Sequence, residues 1–156
     1  MTSQDLQSIA LIVSTGALFV SIITFMINYR RGKKMEQMKL SIELSSKLDN
    51  AENKIFEKED EIKEITDVNK KNVVERSLRD ARLLYLNHWE FFSFLVNNDE
   101  LKDKKILDYY KPNFKSGVQQ IFKKLPDIRD NKEQCEEIKR LMKKWDPSYH
   151  SLHFRA

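Results

Sequence analysis

The strongest candidate for acid–base chemistry is one carboxylate, Glu90, in the aromatic stretch LNHWEFF. Asn87 precedes it by about one helical turn, and Trp89 is its direct neighbour. A carboxylate in apolar surroundings has a raised pKa, which is the usual mark of a catalytic acid or base. The alternative is a structural hydrogen bond between Glu90 and either the end of a neighbouring helix or Arg82. We favour the structural role.

Nucleophiles and metal ligands are few. Cys135 is the single cysteine, which excludes an internal disulfide framework and a cysteine-based zinc site. Its acidic neighbours disfavour the thiolate that a nucleophile requires. His150 and His153 have a spacing that can bind a metal ion on a helix, but no third ligand is in view. Since phosphate loops and Ser/His/Asp arrangements are also missing, we expect no catalytic residue, no metal site, no cofactor and no enzyme activity.

The composition is typical of a helical protein that is rich in charge. Of the 156 residues, 33% are charged, and only 3 are glycine and 3 proline, which favours helices over turn-rich sheets. The net charge is +4, and part of the excess lies directly beside an apolar segment. A basic cluster in that position indicates an anionic membrane surface rather than nucleic acid. We therefore expect membrane lipid as a partner and no nucleic acid.

The apolar segment has the length of a transmembrane helix. No charged residue lies between Asp5 and Arg30, which leaves 30 − 5 − 1 = 24 uncharged positions. A helix of that length spans roughly 36 Å, enough to cross a hydrocarbon core of about 30 Å. A signal peptide would carry its basic residues before the apolar stretch, whereas here they follow it. We interpret the segment as an uncleaved anchor; the alternative is a buried core helix.

The basic residues after the segment predict its orientation. They are Arg30, Arg31, Lys33 and Lys34. The positive-inside rule places them in the cytoplasm and the short N-terminus outside. The expected location is therefore the cell membrane, with a single pass and a cytoplasmic C-terminal part.

Small and polar residues form one stripe along this segment, at spacings of 4, 3, 4, 3 and 4. The stripe consists of Ala10, Ser14, Ala17, Ser21, Thr24 and Asn28. Small residues let helices approach closely, and hydroxyl groups can form hydrogen bonds across a helix pair. We expect this face to pack against another copy or a different subunit. The alternative is that the Ser and Thr side chains bond only to their own backbone.

Residues 35–72 have the pattern of a helical coiled-coil stalk. Apolar residues repeat at spacings close to 3.5, with Lys58 as one interruption, and Glu and Lys flank them. The predicted seam consists of Leu44, Leu48, Ala51, Ile55, Ile62 and Ile65. A parallel coil with another copy and an antiparallel coil with a hairpin arm both fit, and a single solvated helix is the further alternative. Asn69 and Asn72 predict an end or a hinge.

Residues 73–147 predict a small helical domain. Tyr85, Trp89 and Phe92 lie on one wide apolar face, typical of a packed helix, and with Asn87 and Glu90 they form the predicted core or interaction surface. Asp99 is expected to cap a following helix at 100–110 and Pro112 to break it. Asn113 then caps a third helix, and a last helix runs from about residue 128 to 145. Residues 148–156 are expected to be a flexible tail.

The C-terminal part resembles a known family. The run LLYLNHWEFFSFLVNNDELKDKKILDYYKPNFKSGVQQIF, with a terminal helix ending MKKW, is similar to an uncharacterised family of small, single-span, membrane-anchored helical proteins. That family is described only as a domain of unknown function. Its Leu-Asn-x-x-Glu motif matches Leu86, Asn87 and Glu90, although a bulky Phe-Phe follows where small residues are commoner. The resemblance implies the order span, charged helix and motif-bearing helix, and it implies no established activity.

These observations together predict an all-α protein with four parts: an anchor with its basic flank at 1–34, a stalk at 35–72, a helical domain at 73–147 and a tail at 148–156. We expect an interaction or scaffold protein that assembles a complex at the cytoplasmic face of the membrane. Its partners are other copies of itself or other membrane subunits. The alternatives are an accessory subunit of a larger membrane enzyme or transporter and, less favoured, an enzyme that uses Glu90 as an acid or base.

Overall fold

The fold of the described residues is all-α, as expected. The computed structural model describes the backbone of residues 3–146 and the side chains of residues 18–146. Within these limits there are five α-helices and no strand. The helices are α1 (Ser3–Glu64), α2 (Val68–Asn97), α3 (Lys104–Lys124), α4 (Pro126–Asp130) and α5 (Glu136–Trp145). The predicted tail, with His150 and His153, lies outside the described residues.

The chain divides into two compact units, Met1–Met38 and Lys39–Ala156. In the first unit, every described residue of the predicted anchor is exposed, including the basic flank and the stripe residues Ser21, Thr24 and Asn28. The side chains of Ala10, Ser14 and Ala17 lie outside the described residues. Within the part of the chain that the structure describes, no helix combines the length and the apolar character needed to cross a membrane.

The second unit begins with the last part of α1, which a short connection joins to α2. The carboxylate of Asp67 accepts hydrogen bonds from the backbone N–H groups of Asn69 (2.8 Å) and Lys70 (3.3 Å). Asp67 is thus the N-cap of α2, because it satisfies donors that have no partner inside the helix. The expected hinge therefore lies just before Asn69, and both Asn69 and Asn72 are inside α2.

Asp99 ends α2 and does not cap the next helix, which corrects the prediction. Its backbone is left-handed, with φ of 58°. The N–H of Asp99 bonds to the carbonyl of Val96 (3.4 Å) and the N–H of Glu100 to that of Leu95 (2.9 Å). This pair of bonds is a Schellman motif, which satisfies the last carbonyls of a helix. Asp103 takes the capping role, since its carboxylate accepts from the N–H of Lys105 at 2.9 Å.

Pro112 lies inside α3 and does not break it, so that prediction was also wrong. A proline removes one helical hydrogen bond and crowds the preceding turn, which normally costs about 3 kcal/mol. Here α3 buries Tyr110 before the proline and Phe114 and Val118 after it. We infer that this burial on both sides offsets the local cost. Asn113 is therefore an interior residue of α3.

The predicted last helix is divided in two. Pro126 occupies the first turn of α4, where its missing N–H costs nothing. The chain leaves α4 at Asn131 and enters α5 after Cys135, whose backbone is left-handed with φ of 54°. A left-handed residue cannot continue a helix, so Ile128 and Ile138 belong to different helices while sharing the core.

The predicted coiled-coil seam is buried within the chain itself. Leu44, Leu48, Ala51 and Ile55 are all buried and belong to the same hydrophobic core as α2, α3 and α5. Ile62 packs at the edge of that core, and Ile65 lies beyond the end of α1. The structure differs from the predicted division in this respect: residues 39–64 are part of the helical unit and not a separate stalk.

Candidate functional site

Glu90 caps the N-terminus of α5 from a neighbouring helix. Its Oε1 accepts the backbone N–H of Glu137 and its Oε2 accepts that of Ile138, both at 2.9 Å. Both are first-turn N–H groups, which have no partner within their own helix. The negative carboxylate also complements the positive end of the helix dipole. The geometry is the structural alternative expected from the sequence, a bond to a neighbouring helix end.

α5 needs this external cap because its own N-cap residue provides none. Cys135 occupies the N-cap position with no hydrogen bond from its side chain. Burial, with a smaller contribution from the charge of Glu90 that Lys139 partly opposes, raises the pKa of its thiol to about 11. Asn97 of α2 adds a second link, donating from Nδ2 to the backbone oxygen (3.1 Å) and side-chain Oε2 (2.6 Å) of Glu137. The start of α5 is therefore held by two polar residues of α2.

The motif residues of α2 divide into a buried face and an exposed face. Leu86 is buried, whereas Asn87 is exposed and contributes nothing to the core. Trp89 and Phe92 are buried, and the ring of Trp89 meets that of Phe114 in α3 edge-on, with centroids 5.3 Å apart. Edge-on aromatic pairs stabilise a core by about 0.5–1.5 kcal/mol beyond their buried area. Of the residues predicted to form either the core or an interaction surface, Tyr85, Trp89 and Phe92 are core residues.

A polar cleft opens between α1, α2 and α3, with a volume of about 210 Å³. α1 contributes two exposed carboxylates, Asp49 and Glu52, and α3 contributes the exposed ring of Tyr109. Among the described residues, neither carboxylate has an ion-pair partner. The remaining lining residues are Ser45, Leu48, Tyr85, Trp89, Tyr110, Asn113, Ser116, Gly117 and Gln120. The charged groups that line the cleft are therefore all negative.

Two polar groups of α2 lie in the wall of this cleft. The hydroxyl of Tyr85 lies against Gly117, where a Cβ built on the glycine would come 3.2 Å from Cζ and closer still to the oxygen. Burial raises the pKa of the Tyr85 phenol, the nearby indole N–H of Trp89 lowers it, and the charges of Glu52 and Asp49 raise it. The indole Nε1 of Trp89 is buried, and the oxygen nearest to it is the Tyr85 hydroxyl, which it stabilises in the ionised form. It lies near the Tyr85 hydroxyl without hydrogen-bond geometry.

Sequence reasoning did not identify the cleft, because its residues come from three helices. Asp49 and Glu52 resemble the other solvated charges of α1, and Tyr109 resembles any exposed aromatic residue. Gly117 carried a usable signal: a glycine inside an amphipathic helix costs about 1 kcal/mol relative to alanine, and a close packing contact is one reason for it. Among the described residues, no cluster of three His, Cys, Asp or Glu side chains has the geometry of a metal site.

Comparison with known families gives a match over most of the chain. The model of a domain of unknown function, DUF4760, matches residues 11–145. The chain therefore belongs to this family, and the resemblance to a family of unknown function is confirmed. No curated protein and no solved structure matches the chain.

Proposed function

We propose that this member of the DUF4760 family is a membrane-anchored helical interaction protein that organises a complex at the cytoplasmic face of the membrane. The anchor is the uncharged segment between Asp5 and Arg30, and the helical unit from Lys39 onward is the cytoplasmic part. The proposal includes a non-enzymatic role, because both oxygens of Glu90 are engaged by α5.

One observation carries the proposal: apart from the stripe, the first unit exposes large apolar side chains around most of its circumference. Leu18, Phe19 and Val20 are 62%, 60% and 65% exposed, and successive residues of a helix point about 100° apart. With Ile22, Ile23 and Phe25, they occupy an arc of roughly 220°, and the stripe of small and polar residues takes the remainder. Covering apolar surface is favourable by roughly 25 cal/mol per Å². Large exposed apolar surfaces mark sites of membrane or protein contact, and lipid is the environment that can cover so broad a face of a single helix.

The charges at the end of this segment support the proposed orientation. Arg30, Arg31, Lys33 and Lys34 are all exposed. The Nζ of Lys33 lies 5.1 Å from the ring centroid of Tyr29, a cation–π contact. Aromatic and basic residues are enriched where a transmembrane helix meets the headgroups. This arrangement fits a cytoplasmic position for the basic flank and an external N-terminus.

The interaction part of the proposal rests on the stripe of small and polar residues, since the seam of α1 is covered by the chain's own core. Ser21, Thr24 and Asn28 lie on one exposed face of the first unit, in register with the three positions that precede them. Because Leu44 and Leu48 are already buried, we assign the assembly contacts to the stripe and not to the seam. This favours contacts within the membrane, with another copy or, as the second candidate, with the helices of a larger membrane complex.

Cysteine cross-linking in native membranes tests both candidates. We would place one cysteine at Ser21, on the stripe, and in a matched control at Ile23, on the opposite side, each in a Cys135→Ser background. The expected result is a cross-linked species from Ser21→Cys and none from Ile23→Cys. A species of twice the chain mass identifies another copy, and any other mass identifies a foreign subunit. No cross-link at either position, or equal cross-linking at both, would contradict the proposed interface.

A further inference from the structure

Four large apolar side chains are exposed around one end of the second unit, and we call them the apolar belt. They are Ile42 of α1, Phe91 and Phe94 of α2 and Tyr109 of α3, and between 47% and 66% of each is exposed. Among residues 39–146, four Phe, Tyr or Trp side chains are exposed, and three of them belong to the belt. Single exposed apolar residues are ordinary, whereas a cluster of them marks a contact site.

Contacts inside the core show that the belt residues lie at the same end of the unit. The hydroxyl of Tyr110 donates to the backbone oxygen of Ser41 at 2.6 Å. The ring of Tyr110 also lies 5.2 Å from that of Phe92. Each of these three residues is a direct sequence neighbour of a belt residue. The belt therefore lies where α1 enters the unit, α2 ends and α3 begins.

The belt residues point away from the core on three different helices. Successive helical residues are about 100° apart, so Ile42 lies about 160° from the buried Leu44, and Phe91 about 160° from the buried Trp89. Tyr109 is exposed on the outer side of α3 in the same way. A partner helix would cover one of these sides. A plane of lipid headgroups around the end of the unit would meet all of them.

The absence of charge in the belt suits it to the headgroup layer. In residues 83–98, which include the α2 part of the belt, the one charged residue is Glu90, although 33% of the chain is charged. Its carboxylate is occupied by α5. A surface without ionised groups enters an apolar boundary without the cost of removing water from charges. Aromatic side chains are enriched at membrane–water interfaces, where they supply most of the apolar contact.

The chain brings this end of the unit to the membrane surface. Lys39 is the first residue of the second unit and follows Lys34 by 39 − 34 = 5 residues. Even a fully extended chain of that length spans at most about 18 Å. The proposed function places Lys34 at the cytoplasmic headgroups. The belt is thus at the end of the unit at which the chain arrives from the proposed anchor.

We propose that the apolar belt rests in the headgroup layer, so that this end of the helical unit contacts lipid directly. The inference rests on the proposed anchor and adds a lipid contact outside the transmembrane segment. Because no belt residue is charged, a zwitterionic surface is sufficient. The contact leaves the opposite end of the unit, around the connection between α1 and α2, exposed to the cytoplasm.

Spin labelling of the full chain in phosphatidylcholine vesicles tests the proposal. A nitroxide is attached to one cysteine at a time, in a Cys135→Ser background. The labelled positions are Phe94, Tyr109, Val73 and Ile23. Molecular oxygen concentrates in lipid and a nickel chelate stays in water, so the ratio of their collision rates with the nitroxide reports its depth. Collision with both reagents is slow where protein covers the label.

Two of the positions are controls. Val73 is exposed on the same side of α2 as Phe91 but 91 − 73 = 18 residues earlier, about 27 Å along the helix. Ile23 lies in the proposed anchor and reports insertion of the chain. We expect an oxygen-to-nickel ratio at Phe94 and Tyr109 that is severalfold higher than at Val73, and the highest ratio at Ile23.

The other outcomes separate this inference from the proposed function. Ratios at Phe94 and Tyr109 equal to that at Val73, with Ile23 in lipid, would overturn the inference and leave the anchor standing. Slow collision with both reagents at Phe94 identifies a protein contact and overturns it equally. A water-like ratio at Ile23 would refute the anchor and the inference together.

Charges placed in the belt provide an independent check. In Phe91→Asp/Phe94→Asp, the contact requires two carboxylates to lose water, which is unfavourable. The ratio at Tyr109 should therefore fall towards the value at Val73, while the ratio at Ile23 stays the same. Both substituted residues are exposed, and circular dichroism confirms that the variant is folded. An unchanged ratio at Tyr109 in the folded variant would contradict the lipid contact.

Discussion

Removing the Glu90 carboxylate should lower the unfolding free energy of the helical unit. This effect is structural and requires no catalytic role for Glu90. In Glu90→Ala, the N–H groups of Glu137 and Ile138 both lose acceptors that lie at 2.9 Å. Hydrogen bonds to charged groups stabilise by about 1.5–3 kcal/mol each, and loss of a helix N-cap costs about 0.5–2 kcal/mol. Water can replace part of this capping, because Glu90 is only half-buried. We expect a net loss of about 2 kcal/mol.

The assay is thermal unfolding of the full chain, followed by far-ultraviolet circular dichroism. For a unit of this size, 2 kcal/mol corresponds to a fall of roughly 8 °C in Tm. Glu90→Gln keeps one acceptor oxygen but directs an amide NH2 at a backbone donor, so about half the loss is expected. Glu75→Ala, an exposed carboxylate on the same helix, is the matched control and should change the unfolding free energy by no more than about 0.5 kcal/mol.

Amide hydrogen exchange locates the effect. In Glu90→Ala, the N–H groups of Glu137 and Ile138 should lose protection, while those near the middle of α3 keep it. Equal Tm values for Glu90→Ala and Glu75→Ala would refute the capping argument. An unchanged Tm together with loss of an activity in Glu90→Gln would instead restore the acid–base role.

Three further predictions, at Gly117, Leu48 and Cys135, test the packing. Gly117→Ala should lose a net 1–2 kcal/mol or so in thermal unfolding, because overlap with the Tyr85 hydroxyl exceeds the helical gain from alanine. Tyr85→Phe should relieve that loss in a double-mutant cycle. Leu48→Ala should cost about 2–4 kcal/mol in the same assay, since Leu48 is a buried core residue. Cys135 should react with a thiol reagent at pH 8 roughly a hundredfold slower than a thiol of pKa 9, and its rate should rise with pH up to about pH 11.

Each of these predictions has its own control. A Cβ at Gly32 would meet no atom within 4 Å, so Gly32→Ala should be neutral or stabilising. Ile42 is 66% exposed, and Ile42→Ala should change the unfolding free energy by less than about 0.5 kcal/mol. Unfolding in urea should restore an ordinary reaction rate to the thiol. The packing described above would be contradicted by any of three results. These are a destabilised Gly32→Ala variant, equal losses of unfolding free energy in Ile42→Ala and Leu48→Ala, and rapid labelling of the thiol in the folded protein.

The helical class could be predicted from the sequence because it depends on local properties. Low glycine and proline content and apolar spacings near 3.5 indicate helices wherever they occur. The seam of α1 shows the limit of this reasoning. The spacing of Leu44, Leu48 and Ala51 shows that one face of the helix must be buried, but it does not show which surface packs against that face. In the structure the chain's own helices do so.

Helix ends were harder to predict, because several signals compete at each of them. Asp99 and Asp103 are both good N-cap residues, and tertiary packing decides between them by placing Asp99 in a left-handed turn. Pro112 normally ends a helix, yet burial on both sides keeps α3 continuous. A structural role for Glu90 could be predicted from its aromatic surroundings. Its role as the cap of α5 could not, because the backbone N–H that it binds lies 47 residues away in sequence.

The central claim is that the first unit anchors the chain in a membrane, and alkaline carbonate extraction tests it most directly. Cells expressing the full chain are lysed, and their membranes are washed at high pH, which removes peripheral proteins. The account predicts that the chain stays in the pellet and that only detergent releases it. A Phe19→Arg/Ile23→Arg variant, which places charges on the exposed apolar surface, should shift to the supernatant. Release of the unmodified chain by carbonate alone would contradict the anchor.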